Sequence, residues 1–423
     1  MSTEKNDKKL HAVFLGENGF PYGMAAIQTV IMISKSLISV GAQMTVVNRK
    51  GRYNPDKPRE MDINGNFEGI DYVYTSGSYY RPHSFVTRTR LKIKGLIGEY
   101  RFLRQLKKKN ELDVAIISCH EFPIVFLYRL YSWMMGFPIV LIYVEWQSKM
   151  SHRTGLKNKI NDYLFDNWLI SKFDAAFPIS QVLQKNYIKI APNKPYFKIP
   201  VLCEFELFNK PKNPEAEKFF LYCGAIGYRE VIDFILDAYD LLPMDSEHKL
   251  YLVLGDTTEQ NRKEFRAEIK KKYKRYENVV ILHHLPYSEL VQNYIDATAL
   301  LIPMRPTLQD AARFPHKIGE YVASKNPMVT SNFGEVKHYF TDGHNALIAD
   351  DYDVEQYAEK MKFVIDNPEE SIQIGINGYQ VGQDHFNNLK YGPDLIEFLQ
   401  KLAGKPIDSK ANGKEIAYNN TTN

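Results

Sequence analysis

A lysine and a glutamate stand three residues apart in RFPHKIGEYVASKNPMVTS, residues 313–331, and both types of side chain can bind a polar ligand. Lys317 and Glu320 would share one face of a helix that begins near Pro315, because proline suits the first helical turn. A bridge between them would contribute only about 0.2–0.5 kcal/mol. Gly319 costs up to about 1 kcal/mol relative to alanine in a helix interior. We therefore expect a ligand or a neighbouring backbone to approach Gly319 closely, and we expect the pair to face a ligand.

A glycine-containing turn, GENGFPYGMA, follows the first predicted strand at residues 16–25. Its spacing is not G-x-G-x-x-G, and the second strand ends in Asn48 and Arg49 where a dinucleotide site needs an acid for the ribose. A dinucleotide-dependent dehydrogenase is therefore disfavoured. Gly19 and Gly23 would still let a ligand approach the backbone, and an ordinary turn explains them equally well.

Two acidic stretches resemble metal sites only superficially. DINGN, residues 62–66, begins like a calcium loop, but Phe67 and Val73 occupy the positions that need glycine and glutamate, so we predict a turn. DYD, residues 351–353, could hold a metal-bound nucleotide through two carboxylates. It also precedes the helical pattern VEQYAEKMKFVI, and a helix cap is the favoured interpretation.

The composition describes a globular protein with two domains. The chain has 423 residues, 44% of them hydrophobic, and a formal net charge of +4, which is too small and too dispersed to indicate a nucleic-acid partner. The N-terminus MSTEKNDKKL lacks the apolar core of a secretory signal. Three separated cysteines fit neither a disulfide framework nor a metal spacing, so a cytoplasmic location is expected.

Short apolar runs alternate with helical patterns along most of the chain, which predicts an α/β protein with parallel sheets. A proline-rich and charged stretch at residues 196–217 has no sustained period and is predicted to be a linker between residues 1–195 and 218–385. Two doubly wound sheets in tandem would place a cleft between the domains. The tail at residues 406–423 is polar and is predicted to be disordered.

Two stretches raise the question of membrane contact. Residues 122–146 are mostly apolar, but Arg129 and the break at Gly136-Phe137-Pro138 leave pieces too short to span a bilayer, so we predict a buried helix and a buried strand. Residues 88–109 form a basic amphipathic pattern with Glu99 as its one acid. Peripheral contact with an anionic membrane and a crossover helix with a solvated basic face are both consistent with that pattern.

The segment LIPMRPTLQDAARFPHKIGEYVASKNPMVTSNFGEVKHYFTDGHNALI reads as strand, loop, helix, strand and glycine turn. It resembles glycosyltransferase family 4, the glycosyl transferases group 1, whose members carry P-x-K/x-x-E-x-x-A-x-G-x-P-V-V followed by a glycine-glutamate turn. Further matching elements occur in the expected order: GFPYGMA, DVAIISCHE, IPVLCEFELF, LVLGD and HLPYSELVQNYIDATALLIP. The resemblance extends over nearly the whole chain up to the tail.

The resemblance implies a GT-B fold, with two Rossmann-like doubly wound parallel-sheet domains facing an interdomain cleft. It implies a retaining transfer of a hexose-type sugar from a nucleoside-diphosphate sugar to a carbohydrate or lipid-linked acceptor, in surface polysaccharide or glycan synthesis. The N-terminal domain would bind the acceptor and the C-terminal domain the donor, and a helix at residues 386–405 would pack back toward the N-terminal domain. No metal and no cofactor besides the donor substrate are implied.

The resemblance also assigns donor-binding residues in the C-terminal half. Glu320 would accept hydrogen bonds from the ribose hydroxyls, and Lys317 would face the diphosphate as a compact positive charge. Arg229 would be a second cation, because negative charge develops on the leaving nucleoside diphosphate. Gly334 and Glu335 match the turn that faces the donor.

In the N-terminal half, His120 follows the strand LDVAIIS, and family members often have a histidine there that contacts the transferring sugar. Glu145 ends the next strand and could, with His152, meet the acceptor hydroxyl. Gly19 and Gly23 match the early glycine turn and join the donor-binding set.

Two departures from the family pattern bear on activity. Ala225 stands where the family usually has an arginine, so Arg229 or Arg313 would supply that charge. Ala312 stands near the position of the first family glutamate, and Asp310 is close enough in sequence to replace it.

A second hypothesis follows from these departures: a GT-B subunit that has lost its chemistry and acts as a binding partner or scaffold in a glycosylation complex. A nucleotide-sugar epimerase of similar architecture is disfavoured, because the matching motifs are those of transferases. The sequence leaves the oligomeric state open.

Overall fold

The computed structural model describes residues 9–16, 18–23, 25–57, 59–150, 153–255, 258–283 and 285–406. These residues form two compact units. The first unit extends to Leu202 and resumes at Asn388, and the second comprises Cys203–Asn387. The division after Leu202 falls within the predicted linker, and the predicted disordered tail lies outside the described residues except for its first residue.

The first unit is built on a seven-stranded sheet with the order β3-β4-β2-β1-β5-β6-β7. All neighbouring strands are parallel except β3 and β4. The central strands are fully buried, as the continuous apolar runs predicted. The strands are β1 His11–Leu15, β2 Gln43–Asn48, β3 Asn64–Phe67, β4 Ile70–Tyr74, β5 Val114–Ile117, β6 Ile139–Tyr143 and β7 Ala175–Pro178.

The second unit is built on a six-stranded parallel sheet with the order β10-β9-β8-β11-β12-β13. In each sheet the strand order reverses direction once, beside β1 in the first and beside β8 in the second, and ligands of such folds bind at the strand ends near that point. The strands are β8 Phe219–Ala225, β9 Lys249–Gly255, β10 Val279–Leu282, β11 Ala299–Ile302, β12 Met328–Ser331 and β13 Leu347–Ala349.

Helices connect the strands and cover the sheets. They are α1 Ala25–Ile38, α2 Phe85–Lys108, α3 Phe122–Met135, α4 Leu156–Asn167, α5 Gln181–Ile190, α6 Arg229–Asp240, α7 Glu259–Lys272, α8 Tyr287–Asp296, α9 Leu308–Ala312, α10 Lys317–Ala323, α11 Val336–Tyr339, α12 Val354–Asp366, α13 Pro368–His385 and α14 Gly392–Leu402. Short 3-10 helices span Gln147–Lys149, Leu169–Lys172, Phe205–Phe208, Tyr276–Asn278 and Asn388–Tyr391.

The C-terminal helix α14 belongs to the core of the first unit. Leu395, Phe398 and Leu399 are buried in the same cluster as residues of α1 and of the sheet. Ser36 of α1 donates a hydrogen bond of 2.7 Å to the carbonyl oxygen of Asn388. The chain therefore returns to its first unit after completing the second.

The prediction of a turn at residues 62–66 is wrong, because this stretch enters the edge strand β3. Asn64 pairs with Val73 and Phe67 with Ile70 in an antiparallel ladder. The turn follows at Glu68 and Gly69, which both have positive φ. Most of β3 is exposed, so its sequence is polar and lacks the alternation by which a half-buried strand is recognised. By contrast, the predicted cap in DYD is confirmed, since Asp353 accepts a hydrogen bond of 2.9 Å from the amide of Gln356.

The prediction of a buried helix within residues 122–146 is also wrong for α3, although β6 is buried. Only one side of α3 packs inward, whereas Trp133 is 79% exposed and Leu130 and Met134 are half-exposed. An apolar run does not reveal which of its residues meet the sheet, because a single helical layer covers this face. None of the helices that the structure describes has the length and hydrophobicity needed to cross a bilayer.

Candidate functional site

Lys317 and Glu320 lie in the first turn of α10. The Lys317 ammonium is 5.5 Å from the centroid of the Tyr222 ring in the middle of β8. Among the described residues, Lys317 and Glu320 form no ion pair with each other or with a third side chain. Partial burial lowers the pKa of Lys317, and the nearby Arg313 lowers it further. The lysine is thus a cation in a poorly hydrated place, which an anionic ligand would stabilise.

Glu320 is linked to α8 by Tyr287. The Tyr287 hydroxyl donates a hydrogen bond of 2.9 Å to Glu320 Oε1. Burial raises the pKa of Glu320, while the hydrogen bond from Tyr287 and the charge of Lys317 act in the opposite direction. One carboxylate oxygen is thereby oriented by a fixed donor. Tyr287 was not singled out by the sequence, although its segment HLPYSEL belongs to the family resemblance.

Asp310 is a fully buried carboxylate held by two arginines. Arg305 binds it through two guanidinium nitrogens at 2.9 and 3.0 Å, and Arg313 lies 2.9 Å from Asp310 Oδ1. The backbone amide of Arg305 donates to the same carboxylate at 3.0 Å. These contacts give Asp310 the geometry of a residue that positions cations. In this arrangement neither carboxylate oxygen of Asp310 is accessible to solvent. The catalytic role that the family resemblance implies for Asp310 stays a prediction.

Arg305, which binds Asp310, was not predicted from the sequence. It also reaches Glu230 at 3.0 Å, so it joins the start of α6 to the loop after β11. This pairing spans 75 positions of the chain, and no local pattern marks it.

The two candidate cations named for the missing arginine occupy different places. Arg229 is bound by Asp233 at 2.8 Å and Glu268 at 2.6 Å, and it stacks over Phe265. These partners belong to α6 and α7. Arg313 instead donates a hydrogen bond of 3.0 Å to the Tyr228 hydroxyl and is close enough to Lys317 to affect its pKa. The structure therefore groups Arg313, and not Arg229, with the start of α10.

The glycine turn after β12 borders the same region. Gly334 has a φ of +65°, and a Cβ added there would lie 3.0 Å from the carbonyl oxygen of Asp310. Glu335 is almost fully buried. Ala312 is fully buried, so its position faces the core of the second unit. We call Arg313, Lys317, Glu320 and Tyr287 the α10 cluster.

In the first unit, a cavity of about 670 Å³ opens at the carboxyl ends of β1, β5 and β6. Of the predicted residues, His120 and Glu145 line it. The His120 ring packs edge-on against Phe165 at 6.1 Å, and burial lowers the pKa of His120, so the neutral imidazole is favoured. A neutral imidazole beside a cavity can accept or donate a hydrogen bond to a sugar hydroxyl.

Gly19 and Gly23 are not among the residues that line this cavity. Gly19 has a φ of +103°, and its amide donates a hydrogen bond of 2.9 Å to Asn48 Oδ1, which fixes the turn after β1. A Cβ on Gly23 would meet the side chain of Ile27. Local backbone geometry and packing therefore explain why glycine occupies both positions. His152 lies outside the described residues.

The described residues contain no group of three or more histidine, cysteine, aspartate or glutamate side chains arranged to hold a metal ion. Cys119, Cys203 and Cys223 form no disulfide bonds with one another.

Comparison with known proteins gives a family match for the second unit. Residues 204–381, nearly all of the second unit, match the model of the family described as Glycosyl transferases group 1. No significant match was found among curated proteins.

Solved structures of glycosyltransferases resemble the chain along almost its full length. Sucrose-phosphate synthase from Thermosynechococcus elongatus is 15% identical with a TM-score of 0.69, covering 94% of this chain and 100% of that one. HepE from Anabaena, in complex with UDP and glucose, is 14% identical with a TM-score of 0.65, covering 93% and 100%. α,α-Trehalose-phosphate synthase from Burkholderia xenovorans, in complex with glucose-6-phosphate, is 13% identical with a TM-score of 0.61, covering 93% and 100%. The predicted GT-B fold, with two parallel-sheet α/β domains, is confirmed.

Proposed function

We propose that this protein is a retaining glycosyltransferase of family 4 that moves a hexosyl group from a nucleoside-diphosphate sugar to a carbohydrate or lipid-linked acceptor. The observation that carries the proposal is the α10 cluster, which combines a desolvated lysine, an arginine and an oriented carboxylate within the region that matches the family model. Its setting would be the synthesis of a surface polysaccharide or another glycan.

The α10 cluster supplies what departure of a nucleoside diphosphate requires. The bond between the anomeric carbon and the donor phosphate oxygen breaks, and the acceptor oxygen forms a new bond from the same face. The acceptor proton passes to the leaving phosphate oxygen. Lys317 and Arg313 would neutralise the charge that develops on this phosphate, so we propose that no metal ion is needed. Glu320, oriented by Tyr287, would accept hydrogen bonds from the ribose hydroxyls.

We propose a uridine donor, because HepE, which shares the fold, was solved with UDP and with UDP-glucose. The cavity of the first unit would hold the acceptor, with His120 beside the transferring sugar and Glu145 beside the acceptor hydroxyl. His152 belongs to the same proposal through the family resemblance alone.

A peripheral contact with the inner face of the cell membrane forms part of the proposal. Helix α2, which covers most of residues 88–109, buries its only acid, Glu99, and leaves Ile93 and Ile97 exposed among basic residues. Helices α3 and α4, which pack in turn beside α2, add further exposed apolar and aromatic side chains. A surface of this composition suits an anionic bilayer.

A catalytically inactive binding subunit is the second candidate function. The alanine at position 312 and the engagement of Asp310 by two arginines favour it. Ala312 has no carboxylate and that of Asp310 is already bound, whereas family members place a carboxylate near the donor sugar.

A panel of UDP-, GDP- and ADP-sugars tests both candidates through thermal stabilisation and release of nucleoside diphosphate. A bound donor should raise the unfolding temperature by mass action even without an acceptor. Replacing Glu320 with alanine should weaken donor binding by about 1–3 kcal/mol, whereas the exposed Glu359→Ala on α12 should leave it unchanged. The enzyme proposal fails if no donor stabilises the protein. Stabilisation without turnover across a broad acceptor panel would establish the binding subunit.

A further inference from the structure

The cavity of the first unit has a strongly basic side. Besides His120 and Glu145, its lining includes a group of five cations, which we call the cation group: Lys50, Arg52, Arg81, Arg88 and Lys92. The carboxylates that line the cavity among the described residues are Glu121 and Glu145, which follow β5 and β6. Cations thus exceed carboxylates, and they come from the β2, β4 and α2 side.

Backbone hydrogen bonds hold two of the contributing loops together. The amide of Arg52 donates to the carbonyl oxygen of Tyr79 at 3.0 Å, and the amide of Arg81 donates to that of Tyr53 at 2.8 Å. The amide of Lys50 donates to Asn18 Oδ1 at 3.0 Å, which ties the same loop to the turn after β1. The three cations that follow β2 and β4 are therefore carried by an ordered backbone.

The other two members of the group lie on α2. Arg88 and Lys92 are four positions apart, so their side chains share one face of the helix, and Leu91 lines the cavity beside them. Gly95, two helical turns after Arg88, lets the helix pack against the end of β2. A Cβ at Gly95 would lie 1.9 Å from the carbonyl oxygen of Arg49. This close approach fixes where the basic face meets the cavity.

Four members of the cation group have no carboxylate partner among the described residues. Lys50, Arg81, Arg88 and Lys92 form no ion pair with a carboxylate in the part of the chain that the structure describes. Lys50 is accessible through the open cavity, yet desolvation by the surrounding protein lowers its pKa. The like charges of Arg49, Lys92 and Arg52 lower it further, and the charge of Glu121 acts in the opposite direction. Like charges gathered around one cavity repel each other, and an anion bound among them would remove that repulsion.

We propose that the cation group binds a phosphate or diphosphate group of the acceptor, so that the acceptor is a phosphorylated compound. This inference rests on the proposed function, since it names the acceptor class of that activity. Arginine and lysine form charge-assisted hydrogen bonds with phosphate oxygens, and several cations from separate segments suit a group with multiple negative charges. A phosphate held here leaves His120 and Glu145, elsewhere on the cavity wall, to meet an uncharged part of the acceptor.

Isothermal titration of the full chain with defined probes tests the inference. Glucose 6-phosphate represents a soluble sugar phosphate, farnesyl diphosphate represents a lipid diphosphate, and glucose is the uncharged control. Each titration is run with and without UDP, which occupies the nucleotide site and prevents a probe from binding at Lys317. At least one phosphorylated probe should bind in the presence of UDP, and glucose should bind more weakly.

The double variant R88Q/K92Q should weaken the binding of that probe by roughly 10- to 100-fold. R90Q/K94Q is the matched control, because it removes the same charges at the same spacing from exposed positions of α2 that do not line the cavity. The control should stay within about twofold of the wild type. Unfolding followed by tryptophan fluorescence checks that both variants are folded.

The outcomes separate this inference from the proposed function. UDP binding without binding of any phosphorylated probe, or equal affinities in R88Q/K92Q and R90Q/K94Q, would overturn the phosphorylated acceptor and leave the transferase intact. Failure of UDP, GDP and ADP alike to bind would count against the transferase itself. A preference for farnesyl diphosphate over glucose 6-phosphate assigns the phosphate to a lipid-linked acceptor, and the reverse preference assigns it to a soluble one.

Discussion

Glu99 shows how burial changes the role of a single residue. It is the one acid in a basic stretch, and it is fully buried, with Oε2 3.6 Å from Arg49 and Oε1 accepting a hydrogen bond of 3.1 Å from the Tyr128 hydroxyl. It joins α2 to the end of β2 and to α3. The charged residues on the exposed face of α2 are therefore all basic, and this face is positively charged.

A pH-dependent stability follows from the same residue. Burial raises the pKa of Glu99 to about 7, from 4.5 in the unfolded chain. The folded state therefore holds the proton more tightly, so this stabilisation is complete below about pH 4.5 and is lost as the pH rises through about 7. At about 1.4 kcal/mol for each pH unit, the loss is on the order of 3 kcal/mol. Urea unfolding at pH 5 and pH 8 should show that Glu99→Gln reduces this loss.

Tryptophan fluorescence is a suitable probe for that measurement, because Trp133, Trp146 and Trp168 all lie in the first unit, as does Glu99. Glu60→Gln, an exposed replacement of the same chemistry, should leave the pH dependence unchanged. Identical pH dependence in Glu99→Gln and the wild type would show that Glu99 is already ionised in the folded protein.

At the scale of elements, the position of α2 depends on two glycines one turn apart. A Cβ on Gly95 would lie 1.9 Å from the carbonyl oxygen of Arg49, and one on Gly98 would lie 2.4 Å from that of Thr75. The Thr75 hydroxyl also donates a hydrogen bond of 2.9 Å to the Gly95 carbonyl oxygen. The helix can therefore lie directly against the strand ends, where its first turns reach the cavity.

Replacing Gly95 with alanine should destabilise the first unit by about 1–3 kcal/mol, although alanine is favoured by up to about 1 kcal/mol in a helix. The clash is with backbone, which cannot rotate aside as a side chain does. Urea unfolding followed by tryptophan fluorescence measures the loss. Gln105→Ala, at an exposed position of the same helix, should be close to neutral. A gain of stability in Gly95→Ala would show that α2 is not held against the strand ends.

At the scale of the whole molecule, α2, α3 and α4 cover one face of the first sheet. The rings of Tyr100 and Tyr131 lie 5.5 Å apart between α2 and α3, and the amide of Phe122 donates to Asn161 Oδ1 at 2.8 Å between α3 and α4. These three helices carry exposed apolar residues, which we call the apolar face: Phe85, Val86, Ile93, Ile97, Phe122, Phe126, Leu130, Trp133, Met134, Leu156, Ile160 and Tyr163. Arg88 and Leu91, which line the cavity, lie on α2 between members of this face.

The proposed membrane contact predicts binding to vesicles that contain anionic phospholipid. The double variant F126S/W133S should lower the bound fraction severalfold, because it removes aromatic area from the apolar face. The control I372S/M244S removes exposed apolar side chains from the second unit and should bind as the wild type does. Cosedimentation at low and high salt measures both effects, and salt should weaken the basic contribution of α2. Absence of binding by the wild type would refute the contact.

The sequence predicted much of the fold because its signals are local. Parallel strands buried on both faces are continuous apolar runs, as in Val114–Ile117, and Asp353 caps a helix through a hydrogen bond to a residue three positions away. The edge strand β3 was not predicted because its residues are mostly exposed, so its sequence lacks the apolar pattern of a buried strand. The placement of Lys317 and Glu320 on one helical turn was likewise a local inference.

The sequence by itself determined the α/β class, the resemblance to glycosyltransferases and the residues at the start of α10. Only the tertiary structure decided that Asp310 is enclosed by Arg305 and Arg313, that Arg229 is held by α7, and that cations from three segments line one cavity. The physical reason is that ion pairing and burial depend on groups distant in the chain, such as Glu230 and Arg305, 75 positions apart. A periodic pattern in the sequence predicts the secondary structure of a segment. Whether a charged side chain finds a partner of opposite charge depends on which distant residues the fold places beside that side chain.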